Sequence, residues 1–247
     1  MADWKHRKAE QEVDALLELV ARDNAELLGV FPRPIEDLVA TVFAAAFESC
    51  EKLRGSSITE ILRERYRVDH TDLLEDSNAS LAGYIFARGE FAVIFSESGF
   101  GEEFERFTRA HEVGHLVIEY WPLLASAKQP TLFGSEPGPV LYARRDPPGH
   151  IHMGESGEKA PSVTPDDYAR LRADQQSWLR EVKANAFAAE LLAPFREIRR
   201  LAAGLSPSAE LVTAVRSRFG LSRRAAEIRL TELGLLDGPH ATQNLSL

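Results

Sequence analysis

His111-Glu112-Val113-Gly114-His115 places two imidazoles and a carboxylate at the spacing that metal-assisted hydrolysis needs. On a helix, residues four apart share a face about 5 to 6 Å from one another, so both imidazoles can reach one Zn²⁺ at roughly 2.0 to 2.1 Å. Glu112 sits one step round the helix. From there its carboxylate can take a proton, as general base, from a water whose pKa the ion lowers to about 7. So short a motif also arises by chance, and its surroundings must carry part of the argument.

Those surroundings are favourable. Glu102 to Tyr120 contains no proline and carries apolar residues at Phe104, Phe107, Val113, Val117 and Ile118, the spacing of one amphipathic helix packed on a core. Gly99 and Gly101 before it and Pro122 after it are start and stop signals. A tetrahedral zinc site needs a third protein ligand and leaves its fourth position to water. The metzincin pattern would put glycine and histidine three and six residues past the second histidine, where this chain has Ile118 and Trp121. Glu119 continues the helical row but lies two turns beyond His111, too far to complete a tetrahedron with both imidazoles. The best candidate is Glu181, in a stretch from Trp178 to Pro194 that is rich in Ala and Leu and strongly helix-forming. Glu181 and Asn185 fall one turn apart. Trp178, Ala184 and Ala188 along the same row predict a face packed on another helix, where Asn185 can fix an imidazole tautomer.

Together, Arg106-Phe-Thr-Arg-Ala-His-Glu-Val-Gly-His115 and Glu181-Val-Lys-Ala-Asn-Ala-Phe-Ala-Ala-Glu-Leu-Leu-Ala-Pro194 resemble the paired motif helices of the ImmA/IrrE family of bacterial and phage metallopeptidases. The resemblance covers roughly Ser56 to Leu236. It implies a gluzincin-type site with His111, His115 and Glu181 as metal ligands and Glu112 as catalytic base. It also implies cleavage of a helix-turn-helix repressor of the XRE type, releasing genes for mobile-element transfer or stress response. The chain departs from the commonest pattern at Ala193, where methionine is frequent, and in a long insertion between the two motif helices.

The 247 residues suffice for one or two domains with a proper core. One cysteine, Cys50, rules out an internal disulfide and suits a reducing compartment. The first residues lead into a charged helical pattern with no apolar signal core, and no run reaches the roughly 18 apolar residues of a membrane span. The expected address is the cytoplasm. A formal net charge of -9 argues against nucleic-acid binding by the molecule as a whole. Yet Arg196 to Leu230 carries eight arginines against three glutamates, so the C-terminal part is a separate electrostatic object.

Along the chain, Ala9 to Leu28 reads as an amphipathic helix, and the Phe31-Pro-Arg-Pro34 break starts a second, Ile35 to Arg54, ended by Gly55. A shorter helix follows Ser57. Ala82 to Phe86 and Phe91 to Phe95 read as a β-hairpin turning at Arg88-Gly89, with an edge on which a peptide can dock as an added strand. Pro122 to Pro165 holds most of the prolines, a length and composition expected of a lid-like insertion. Val140 to Ala143 adds a short strand there, and His150 and His152 are candidates to stabilise an oxyanion. Glu210 to Phe219, Gly220, and Ser222 to Gly234 read helix, turn, helix, with Arg223, Arg224 and Arg229 as phosphate contacts or Arg216, Arg223 and Arg224 as a docking surface for a protein.

The expected fold is α+β: an N-terminal helical region over 1–55, a mostly helical zincin-like metallopeptidase domain with a small sheet over 56–200, and a helix-turn-helix-like module over 201–247. The favoured function is a zinc-dependent endopeptidase, with Mn²⁺ as the alternative ion and an XRE-type repressor as substrate. The competing function is a metal-containing regulator without catalysis, binding DNA or a repressor through the C-terminal module. Glu112 separates them, because a binding module has no use for a carboxylate at that position.

Overall fold

A computed structural model of the chain describes residues 2–68, 78, 80–127, 140–145, 165–207 and 209–236. Four strands form one mixed sheet: β1 (Ala44–Cys50), β2 (Gly83–Arg88), β3 (Phe91–Glu97) and β4 (Val140–Arg145), in the spatial order β1-β3-β2-β4. β2 and β3 are the expected hairpin, paired from Gly83↔Ser96 to Arg88↔Phe91. β1 runs parallel to β3, from Ala44↔Phe91 to Cys50↔Glu97, and β4 runs antiparallel to β2, from Gly83↔Arg145 to Arg88↔Val140. Both sides of the hairpin are therefore covered. The free docking edge expected of it is taken by β4.

The hairpin strands are apolar on both faces because helices cover both. Ile85, Ala87, Ala92 and Ile94 join the larger core, while Tyr84, Phe86, Val93 and Phe95 meet Ile58 and Leu62 of α3 (Gly55–Tyr66) on the other side. The larger core is walled by α1 (Ala2–Asn24), α2 (Ile35–Val42), α4 (Glu102–His115) and α6 (Pro165–Leu192). After α4 the helix widens into a π-helical turn, Leu116–Tyr120, and continues as α5 (Trp121–Ala127). Past α6 come α7 (Phe195–Ala202), α8 (Ala209–Phe219) and α9 (Arg223–Glu232). Ser222 caps α9 as its residue type suggests, its hydroxyl accepting from the Ala225 N–H.

Two expected boundaries fail. The helix expected from Ile35 to Arg54 stops at Val42, and Ala44 to Cys50 is β1. Three alanines favour a helix by only a few tenths of a kcal/mol per residue, and a seven-residue ladder with β3 outweighs that. Pro122 does not end the metal-motif helix: the chain stays helical through it, the π-helical turn running directly into α5.

The larger core contains Val13, Leu16 and Val20 of α1, Val113 and Leu116 after the first histidine, and Leu211, Val215, Phe219 and Leu230 of α8 and α9. One apolar core thus passes through all three segments divided at residues 55 and 200. Among the described residues no helix is long and apolar enough to cross a membrane.

Candidate metal centre

Small side chains let α4 and α6 approach closely. A methyl group on Gly114 would lie 3.1 Å from the Ala184 Cα and 3.2 Å from its carbonyl oxygen. Ala184 and Ala188 are buried in this contact, as their place on the Glu181 row predicts, but Trp178 on the same row is 58% exposed. One turn above Ala184's level, Glu181 reaches across to the imidazoles of α4.

His111 and His115 are buried, and their Nε2 atoms lie 3.1 Å apart. Glu181 places Oε2 at 3.2 Å from His111 Nε2 and Oε1 at 3.4 Å from His115 Nε2, with 38% of its side chain still exposed. Ligand atoms at roughly 2.0 to 2.1 Å from a tetrahedral ion are separated by about 3.3 to 3.4 Å. The three distances, the two from Glu181 being to different oxygens, lie close to that edge length. Among the described residues this is the one group of three His, Cys, Asp or Glu side chains close enough to hold a metal ion.

The outer partners of the imidazoles fix which nitrogen faces the cluster. His111 Nδ1 lies 3.0 Å from Asn185 Oδ1, and His115 Nδ1 lies 2.6 Å from Glu119 Oε1. Both Nδ1 atoms face oxygen acceptors and therefore donate, which turns both Nε2 lone pairs toward each other and toward the Glu181 carboxylate. Three lone-pair donors converging on one point need a positive charge between them. Without an ion, a proton takes that place: burial alone would lower the His115 pKa, but hydrogen bonds to Glu119 and Glu181 and the nearby Glu112 charge raise it to about 10. Glu181 answers in kind, since burial would raise its pKa but the two histidines hold its carboxyl well below the usual carboxylate range. The donor set fits a divalent cation, with two neutral imidazoles and one carboxylate.

Asn185 takes the role its position predicts. Glu119 was expected only to fail as a ligand, and it instead orients His115 from the π-helical turn, with Arg180 Nη1 3.8 Å from its other oxygen. Its four-residue spacing from His115 was the available signal. Tyr120, at the end of that turn, donates to the Gly89 carbonyl at 2.7 Å and pins the turn to the hairpin.

Glu112 is fully buried on the side of α4 that faces β2. A methyl group on Gly83 would stand 2.6 Å from Glu112 Oε1 and 2.5 Å from Thr108 Cγ2, so only glycine lets the strand backbone come this near the carboxylate. The first half of α4 is held by charge: Arg109 pairs with Glu36 of α2 and Glu105, and donates to Ser96 of β3 at 3.0 Å. Glu105 accepts in turn from Ser49 of β1 at 2.7 Å.

Residues 128–139 and 146–164 of the expected lid, with His150 and His152, lie outside the described residues. Of the C-terminal arginines, Arg216, Arg223 and Arg224 are exposed, with Arg223 paired to Glu227 at 2.9 Å. Arg229 is not available to a phosphate. It is buried, paired with Glu190 of α6, and donates to the Ala193 carbonyl at 3.1 Å, so it ties α9 to the end of α6. Cys50 is a free, partly buried thiol. Compared with known proteins, the chain matches no family model and no curated sequence.

Proposed function

We propose that the protein is a metal-dependent endopeptidase, zinc being the favoured ion and manganese the alternative. The observation that carries this reading is the tautomer control: Asn185 and Glu119 turn both Nε2 lone pairs onto the Glu181 carboxylate, with the Glu112 carboxylate enclosed beside them. A bound ion of this kind supplies Lewis acidity, lowering the pKa of a water to about 7 and polarising a carbonyl oxygen. His111, His115 and Glu181 hold the ion. Glu112 accepts a proton from the attacking water as its oxygen bonds to the carbonyl carbon, then delivers that proton to the amine nitrogen as the C–N bond breaks. Burial against Gly83 keeps the carboxylate in one position for both transfers.

For the substrate we propose a regulatory protein, an XRE-type repressor by the resemblance of the two motif helices, cleaved in the cytoplasm during stress response or mobile-element induction. The decisive experiment combines elemental analysis with hydrolysis of fluorescein-labelled casein and of a candidate repressor. Glu112→Gln should keep one metal ion per chain and lose hydrolysis, and His115→Ala should lose both. Full activity in Glu112→Gln would overturn the mechanism, whereas metal retained without hydrolysis in the unaltered protein would favour a regulator that does no chemistry.

A further inference from the structure

We propose that the cleft beside the start of α2 is a binding site for a phosphate group, with Arg33 as its anchor. The cleft, of about 460 Å³, lies between residues 32–37 and the side of α4 that carries Arg106 and Arg109. Arg33 lines it and is only 5% exposed, yet it pairs with no carboxylate among the described residues. Its Nη1 donates to the Leu27 and Leu28 carbonyls, at 3.3 and 2.6 Å, while Nε is buried without an acceptor. Glu197 attracts the guanidinium from beyond ion-pair distance and is itself held by Arg200. A buried cation is costly unless an opposite charge meets it. The two carbonyls are neutral, so Arg33 still lacks a counter-charge.

Two neighbouring features make an oxyanion the fitting partner. Pro34 occupies the cap position of α2 and offers no side-chain acceptor, so the N–H groups of Ile35, Glu36 and Asp37 find no acceptor among the described residues. Open first-turn amides beside an arginine are the donors that phosphate groups take. Arg218 of α8 adds a second positive charge: its guanidinium lies 5.0 Å from the Phe31 ring that Arg33 covers at 4.3 Å, and it too has no carboxylate partner among the described residues. Most of the acids in the cleft are already neutralised. Arg109 holds Glu36 and Glu105, and Arg106 holds Glu102, which leaves the exposed Asp37 without an ion pair among the described residues. The volume exceeds that of a lone phosphate and reaches the range of small-molecule sites, with room for the rest of a phosphorylated molecule. Neither the metal ligands nor Glu112 line the cleft, so it stands whether or not the protein is a peptidase.

The test is thermal unfolding and equilibrium dialysis of the full chain with inorganic phosphate and with adenosine monophosphate, against sodium chloride at matched ionic strength. Either phosphate compound should raise the unfolding temperature as its concentration rises, beyond the effect of the chloride. Arg33→Met, which keeps an apolar stem and removes the charge, should weaken binding at least about tenfold, as the loss of a charged hydrogen bond does. Asp37→Asn, which changes only an exposed carboxylate, should tighten it about two- to fivefold. His115→Ala should bind like the unaltered protein, which separates the cleft from phosphate held on a metal ion. Adenosine monophosphate binding about tenfold more tightly than phosphate assigns the cleft to a phosphorylated small molecule, and equal affinities assign it to the free ion. Stabilisation no greater than that of the chloride overturns the proposal, as does binding that His115→Ala abolishes or that Arg33→Met leaves unchanged. If Arg33→Met does not fold, binding unchanged by Asp37→Asn overturns it instead.

Discussion

At the scale of single residues, the centre is defined as much by what touches the ligands as by the ligands. Gly83→Ala is the sharpest probe, because the atoms its methyl group would meet first belong to the Glu112 carboxylate and Thr108. If Glu112 is the base proposed above, the variant should keep its metal and its fold but lose about 10- to 100-fold in turnover, a displaced base forfeiting part of the roughly 100- to 10,000-fold that a positioned one contributes. Metal content and kcat measured on the same preparation check this; undiminished kcat would show that Glu112 need not stay where it is. A second prediction concerns pH. An isolated histidine of pKa 6.5 stops competing with a metal above neutrality, but the metal-free protein holds its proton on His115 up to about 10. Folded-state binding of that proton is favoured over the unfolded chain below 6.5 and up to the raised value, so it competes with the ion throughout that window. Zinc affinity, measured against a chelator, should therefore still rise between about pH 7 and 9. A plateau from pH 7 onward would contradict the Glu119 and Glu181 contacts as the cause.

At the scale of elements, the decisive contact is that of α4 with α6. Gly114→Val should push the helices apart, costing about 1 to 3 kcal/mol as overpacking does, and should weaken metal binding more than it weakens the fold, since the ligands sit on opposite sides of the gap. Chelator competition set beside urea unfolding would show whether the two losses separate. Elements were legible in the sequence where their signals are local: the hairpin by two short runs rich in aromatic and β-branched residues and the glycine at its turn, the α9 start by Ser222, the α6 end by Pro194. β1 was not legible, because its alanines say helix and only the distant β3 makes them a strand. Position also hid the role of Arg229, whose partner Glu190 lies on another helix, and charge alone does not say which face of α9 turns inward. Among the site residues, His111, Glu112, His115, Glu181 and Asn185 could be read from spacing and resemblance. Gly83 could not, since its importance is a matter of distance across the fold.

At the scale of the whole molecule, the C-terminal helices share the core that carries the candidate metal centre. Leu211, Val215, Phe219 and Leu230 are fully buried there, and at about 1.5 to 3 kcal/mol each their burial is comparable to the roughly 5 to 15 kcal/mol that holds a domain together. Arg229 adds a polar dependency. Arg229→Met leaves the Glu190 carboxylate buried without its partner and should cost about 3 to 5 kcal/mol, whereas the double change Glu190→Gln with Arg229→Met should recover much of it. Urea midpoints of the three proteins decide, and equal midpoints for single and double variants would show that the pair is not coupled. The same arrangement has a consequence for biosynthesis. His111, Glu112 and His115 leave the ribosome well before Glu181, and α7, α8 and α9, which help to close the core around them, are made after both. A growing chain therefore exposes the pair of imidazoles first, and the three candidate ligands are together only once α6 has followed α4. Order of synthesis thus sets the order of assembly, since the candidate centre cannot close before both of its helices have been made.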